Sequence, residues 1–266
     1  MVDALRCVVF SRDRAMQLDA FLDSVELHAP DLFDTLVVLY RASDDSFAAG
    51  YELLRRNRDG PLWLPETSFR TDLLSASGDE EWLTFHTDDD IYFAGVPPFQ
   101  LLEDEVCFTL RLGLNTTYCY PLDVAEELQG AEVSTERVRW DWRRQGPGAY
   151  SYPLALNAHV FRASQAMGWL ERSRFGNPNE LESNLQRFMV EVEPMMASAR
   201  SSSVVSIPAN LVNDVFANRH GGLHDVAELN RRFLGGERID VAAMDFSHVD
   251  ACHVEVPYAF TAHNLT

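Results

Sequence analysis

The 266-residue chain contains no lysine: its 22 basic residues are all arginine, set against 41 acidic ones for a formal net charge of −19. That balance speaks against a nucleic-acid backbone or an anionic membrane surface as partner, since both need a positive face. An anionic ligand has to be met locally instead, by a metal or a few placed arginines. The bias toward Ala, Arg, Asp and Glu fits a GC-rich or salt-adapted bacterial source. Cysteine is also scarce. Cys7, Cys107, Cys119 and Cys252 are scattered without a CxxC pair and read as reduced core residues of a cytoplasmic protein. The first residues lack the basic and apolar segments of a signal peptide, and no run approaches the roughly 18 apolar residues of a membrane span. No internal repeat or low-complexity linker divides the chain. With 46% hydrophobic residues, the expectation is one continuous domain of two fused halves, residues 1–115 and 116–266.

What is present alternates regularly. Leu5 to Phe10 is an apolar run fit for a buried strand, and a polar loop, Ser11-Arg12-Asp13-Arg14, follows it. Leu18, Phe21, Leu22 and Val25 then share one helical face, which closes near Pro30. Thr35 to Tyr40 predicts a second buried strand, trailed by Ser43-Asp44-Asp45 and a helix carrying Phe47, Tyr51 and Leu54. Strand, polar loop and helix in repetition predict an α/β fold with a mainly parallel sheet, whose ligands bind beyond the carboxyl ends of the strands.

The apolar run Trp82 to Thr87 ends in Asp88-Asp89-Asp90, followed at once by Ile91-Tyr92-Phe93. Three adjacent carboxylates near a core repel one another and need a counter-charge, which a hard divalent cation such as Mg²⁺ or Mn²⁺ supplies. An acidic turn facing water is the plainer alternative. Further on, Val106 to Leu112 alternates as a strand, and Trp140 and Trp142 either stack on a sugar ring or pack one sheet face. Asn177-Pro178-Asn179-Glu180 starts a helix with the spacing of a capping box. Residues 211–218 predict another helix, and five tail histidines follow: His220, His224, His248, His253 and His263.

Taken together, the Val8-to-Arg14 opening, Ser43-Asp44-Asp45, the Asp triplet and the helix headed by Asn177 resemble GT-A glycosyltransferases of the family-2-like kind, over residues 5 to 190. The triplet matches the DXD motif of that family. The resemblance implies a GT-A, Rossmann-like mixed sheet, mainly parallel and flanked by helices, with a nucleotide-binding half fused to an acceptor-binding half. It implies a metal-dependent enzyme, hexosyltransferase in type, that moves a sugar from a nucleotide-diphosphate donor to a saccharide or other hydroxyl acceptor, in polysaccharide or glycoconjugate synthesis.

Residue by residue, the resemblance puts Asp88 and Asp90 on a divalent cation, with Asp90 the direct ligand and Asp89 the one most tolerant of change. Ser11, Arg12, Arg14, Ser43, Asp44, Asp88 and Asp89 are the donor contacts it implies. His253 is the first choice for a third metal ligand, Trp140 and Trp142 for the acceptor, and Glu180 or Glu182 for the catalytic base. Two alternatives remain at this point, a sugar-nucleotide nucleotidyltransferase and a non-catalytic nucleotide- or carbohydrate-binding module.

Overall fold

A computed structural model describes residues 4–210, 219, 221, 222 and 224–262. The helix expected over 211–218, with His220 and His263, lies outside the described residues. In chain order the first elements are β1 (Leu5–Arg12), α1 (Ala15–His28), β2 (Thr35–Arg41), α2 (Asp45–Asn57), β3 (Leu62–Pro65), α3 (Phe69–Ala76), β4 (Trp82–Thr87), β5 (Asp90–Tyr92) and β6 (Glu105–Thr109). A small hairpin of β7 (Tyr118–Cys119) and β8 (Val124–Ala125) precedes β9 (Glu132–Val133), β10 (Val138–Asp141) and β11 (His159–Arg162). Next come α4 (Ala163–Arg172), α5 (Pro178–Leu185), β12 (Met195–Ser198), β13 (Val204–Ser206), α6 (Val226–Leu234), β14 (Glu237–Ile239) and β15 (Phe260–Ala262).

Nine of these strands form one sheet in the order β3-β2-β1-β4-β11-β6-β12-β10-β9. β3, β2, β1 and β4 are parallel neighbours, as are β6 and β12. β11 is antiparallel to both β4 and β6, and β10 to both β12 and β9. Within this sheet β11 and β10 run against the rest, so the sheet is mixed and mainly parallel, as the alternation of elements predicts. β5 leaves the sheet and pairs with β13 instead.

Side chains alternate across β1 because successive residues of a strand point to opposite faces. Leu5, Cys7 and Val9 enter one apolar cluster together with Leu18 and Phe21 of α1, Tyr51 of α2 and Leu229 of α6. Val8 and Phe10 enter the other, with Phe69 of α3, Trp169 of α4 and Leu181 of α5. Helices therefore cover both faces, and each fully buried Leu or Phe contributes roughly 1.5–3 kcal/mol of burial. Asp44 caps α2 by accepting from Phe47 N at 3.0 Å, and Asn177 caps α5 by accepting from Glu180 N at 2.9 Å. Arg58 and Arg238 converge on Asp19, which is 1% exposed, and so tie β14 back onto α1. Among the described residues no helix is long and apolar enough to cross a membrane.

Candidate functional site

The parallel register sets the carboxyl ends of β1, β2 and β4 side by side, with Arg12 opposite Arg41 and Phe10 opposite Thr87. A crevice of about 920 Å³ opens along that edge. The loop after β1 turns through Asp13, a left-handed residue at φ 60°. Its Oδ1 accepts from Ser43 N at 2.6 Å while its own N–H donates to Arg41 O at 3.1 Å, which clamps the first loop to the second. Asp tolerates this conformation better than most residues because its short side chain bonds locally.

Asp88 and Asp89 follow β4 and line the crevice. Asp88 is 2% exposed. Its Oδ2 accepts from Ser11 Oγ at 2.8 Å and from Arg12 N at 3.3 Å, and its Oδ1 from Arg14 Nη1 at 3.0 Å. The same Nη1 reaches Asp89 Oδ2 at 3.3 Å, and Arg14 Nη2 donates to the carbonyl of Asn210. A guanidinium thus sits between the two carboxylates. Burial pushes Asp88 above its ordinary value and Asp89 adds to the shift, against the pull of Arg14 and Ser11. Burial also opposes the charge on Arg14, but Asp88 and Asp89 more than reverse that and hold it cationic.

Asp90 is placed differently from the expected metal ligand. It is fully buried at the start of β5 and absent from the crevice wall. Oδ2 lies 2.9 Å from His86 Nδ1 and accepts from Thr87 N at 3.3 Å; Oδ1 accepts from Ser206 Oγ at 2.5 Å and Asn157 Nδ2 at 3.2 Å. Four partners leave it no free lone pair directed outward, so it braces the turn that presents Asp88 and Asp89. Ala158, next to Asn157, is held at φ 54° by backbone bonds to Phe85 and Leu110, which fixes Asn157 beneath the Asp turn.

Glu182 of α5 lines the same crevice. Its Oε1 accepts from Leu156 N at 3.1 Å. Burial pushes its carboxyl up from the ordinary value, against smaller pulls from the Leu156 N–H and Arg111. Glu180 is exposed and reaches back past the Asn177 cap to accept from Gly176 N at 2.8 Å through Oε2, so of the two expected bases Glu182 alone faces the crevice. His253 lines the crevice as well, with Nδ1 3.5 Å from Arg111 Nη2; burial and the charge of Arg111 lower its pKa to about 3.

Other expected contacts lie elsewhere. Ser43 and Asp44 are outside the crevice wall because Ser43 serves the Asp13 clamp and Asp44 caps α2. Trp140 and Trp142 are core residues, 0% and 6% exposed, with their indole N–H groups donating to the carbonyls of Tyr150 and Glu193. Their period-two spacing reflects packing on one sheet face rather than a stacking platform. Arg111 went unmarked in the sequence. It follows β6, is 8% exposed, lines the crevice, makes no ion pair among the described residues, and leaves Nε without a partner. A charged residue inside the apolar run from Val106 to Leu112 was the available signal.

Among the described residues no group of three His, Cys, Asp or Glu side chains is placed to hold a metal ion. Asp90 is turned inward, His253 faces the Arg111 guanidinium, and Asp88 and Asp89 already share Arg14. The described residues, placed in this way, do not fit a divalent cation.

No protein-family model matches the chain. In sequence it is 23% identical over 260 residues to the bifunctional glycosyltransferase pgtA of Dictyostelium discoideum, covering 81% of this chain and 33% of that protein. The chain therefore spans about a third of that relative's length. Among solved structures it is similar to S. aureus TarS, at 13% identity and a TM-score of 0.45, covering 76% of this chain and 36% of that one. It is similar also to the 4-diphosphocytidyl-2C-methyl-D-erythritol synthase of Anaerococcus prevotii, at 13% identity and a TM-score of 0.42, covering 76% and 89%.

Proposed function

We propose that the crevice binds a nucleotide-diphosphate sugar and transfers the sugar to an acceptor hydroxyl, in polysaccharide or glycoconjugate synthesis. The observation that carries this reading is the placement of Ser11, Arg14, Asp88 and Asp89 at the carboxyl edge of parallel strands, with a half-buried carboxylate, Glu182, lining the same crevice. The relative named as a glycosyltransferase supports it. In the reaction the acceptor oxygen attacks the anomeric carbon while its proton passes to Glu182. The bond from that carbon to the β-phosphate oxygen breaks, and the electron pair leaves with the nucleoside diphosphate. A single displacement of this kind inverts the anomeric configuration. The raised carboxyl of Glu182 suits a base, because its affinity for the proton moves toward the working pH.

The nucleotidyltransferase reading needs a glycine-rich loop to cradle a triphosphate, and Ser11-Arg12-Asp13-Arg14 contains no glycine. A binding module shares the crevice but has no turnover. Thermal-shift measurements with UDP, GDP, CDP and dTDP test the donor reading, since a ligand that binds only the folded state raises the melting temperature. One of the four is expected to stabilise the protein, and hydrolysis of its sugar nucleotide then separates enzyme from module. A flat response to all four would sink the proposal.

A further inference from the structure

Arg111 is a buried cation of this crevice with no ion pair among the described residues. A guanidinium that is nine-tenths buried costs stability unless an anion meets it, and structural arginines elsewhere in this protein obey that rule. Arg58 meets Asp19, Asp23 and Glu26; Arg139 meets Glu105, Asp104 and Glu132. Arg111 has no carboxylate within ion-pair distance among the described residues; Asp90 and Glu182 favour its charge from farther off, Cys252 and His253 lie beside its guanidinium, and its Nε is unpartnered. It stands in the wall of the same crevice as Asp88 and Glu182. Arg14, the second buried cation of that wall, lies between Asp88 and Asp89 and also has an unpartnered Nε.

We propose that Arg111 supplies the positive charge against the donor diphosphate while Arg14 offsets the carboxylates beside it, so that nucleotide binding at this site is independent of a divalent cation. The proposal rests on the donor reading above. When the anomeric bond breaks, the β-phosphate gains the electron pair and one unit of negative charge. Arg111 receives that charge through its guanidinium, which no carboxylate within ion-pair distance occupies among the described residues, and a guanidinium fork matches two phosphate oxygens at once. Arg14 meanwhile offsets part of the charge of Asp88 and Asp89, which would otherwise repel the diphosphate more strongly. Such fixed charges act without reorganising.

The test compares nucleoside mono- and diphosphates on the intact chain, by thermal shift and titration calorimetry, in excess EDTA and with added Mn²⁺. The diphosphate that binds is expected to do so with equal affinity in both conditions. Arg111→Ala is expected to weaken that diphosphate by about tenfold or more, the scale of one charge-assisted contact, and to leave the matching monophosphate unchanged. A merely structural arginine would not separate the two ligands. Arg111→Gln repeats the comparison with the side chain's bulk retained should the alanine variant fail to fold. As a check that needs no variant, the electron paramagnetic resonance signal of free Mn²⁺ should fall no further with protein and nucleotide together than with nucleotide alone. Diphosphate binding that appears only with Mn²⁺, or equal losses for mono- and diphosphate in the variant, overturns the arginine proposal while leaving the donor reading intact. Absence of nucleotide binding in every condition overturns both.

Discussion

His86 Nδ1 lies 2.9 Å from Asp90 Oδ2, with both side chains closed to solvent. The pair anchors the Asp turn from below: His86 Nε2 is 3.1 Å from the Tyr92 hydroxyl, and the opposite carboxylate oxygen holds Ser206 and Asn157. Asp90 therefore belongs to the scaffold, and Asp88 and Asp89 to the crevice.

Substitution should divide the triplet accordingly. Asp90→Ala strands the partners of a buried carboxylate and is expected to cost about 3–5 kcal/mol. Asp89→Ala removes one hydroxyl bond and a shared arginine contact at a side chain that is 20% exposed, for about 1 kcal/mol or less. Urea midpoints compare the two. A cost for Asp89→Ala equal to that of Asp90→Ala would remove the distinction. Burial opposes ionisation of Asp90, but His86, Ser206 and Arg111 hold its pKa below the ordinary carboxylate value. That stabilisation is present above the unfolded carboxylate pKa and is lost as pH falls through the folded one, so acid unfolding of Asp90→Asn should lack this component.

Trp140 is expected to behave as a core residue. It packs edge-on against Tyr150 with ring centroids 5.4 Å apart and donates to the Tyr150 carbonyl at 2.9 Å. Trp140→Phe keeps most of the apolar volume and loses that hydrogen bond, for about 1–3 kcal/mol. The measurement is a denaturation midpoint alongside the acceptor KM of the folded variant. A raised KM with unchanged stability would return Trp140 to the acceptor site.

Much of the fold was legible because β1, β2 and β4 are apolar runs bounded by polar loops, and because α1 repeats Leu18, Phe21, Leu22 and Val25 at helical spacing. The site was legible only as a set of strand ends. Which aspartate faces outward depends on where the turn stops and β5 starts, and β5 is set by pairing with β13 more than a hundred residues later. Asp44 shows a second limit, since a polar residue ahead of a helix reads equally as ligand or cap until its Phe47 bond is seen. Arg111 shows a third, because its lack of a carboxylate partner is a property of distant neighbours and leaves no local trace beyond a charge in an apolar run.

Ala158 offers a test of how firmly Asn157 is set. A non-glycine residue at φ 54° is strained by roughly 1 kcal/mol, and glycine adopts that conformation freely. Ala158 is also buried, so the lost methyl offsets part of the relief. Ala158→Gly is therefore expected to shift stability by less than about 1 kcal/mol, while Ala158→Val, branched at Cβ, should lose more than about 2 kcal/mol. Urea denaturation of the pair gives the order, and a valine variant as stable as the parent would show that the turn relaxes.

Glu182 carries the pH dependence. Its folded pKa is raised above the unfolded value, chiefly by burial, so the folded state holds the proton more tightly. Two consequences have opposite signs. Stability contributed by this group is greatest below the ordinary carboxylate pKa and falls as pH rises through the folded one. Transfer, which needs the ionised base, should instead rise with pH through that same shifted value. Glu182→Gln keeps the size of the side chain and removes both dependences: it should leave nucleotide affinity within about twofold, since the proposed base acts on the acceptor rather than the nucleotide, and reduce kcat by about 10²-fold or more. Glu180→Gln, altering an exposed cap, should leave the pH profile in place and cost no more than about 1 kcal/mol of stability. A normal acidic limb in Glu182→Gln would move the base to another residue.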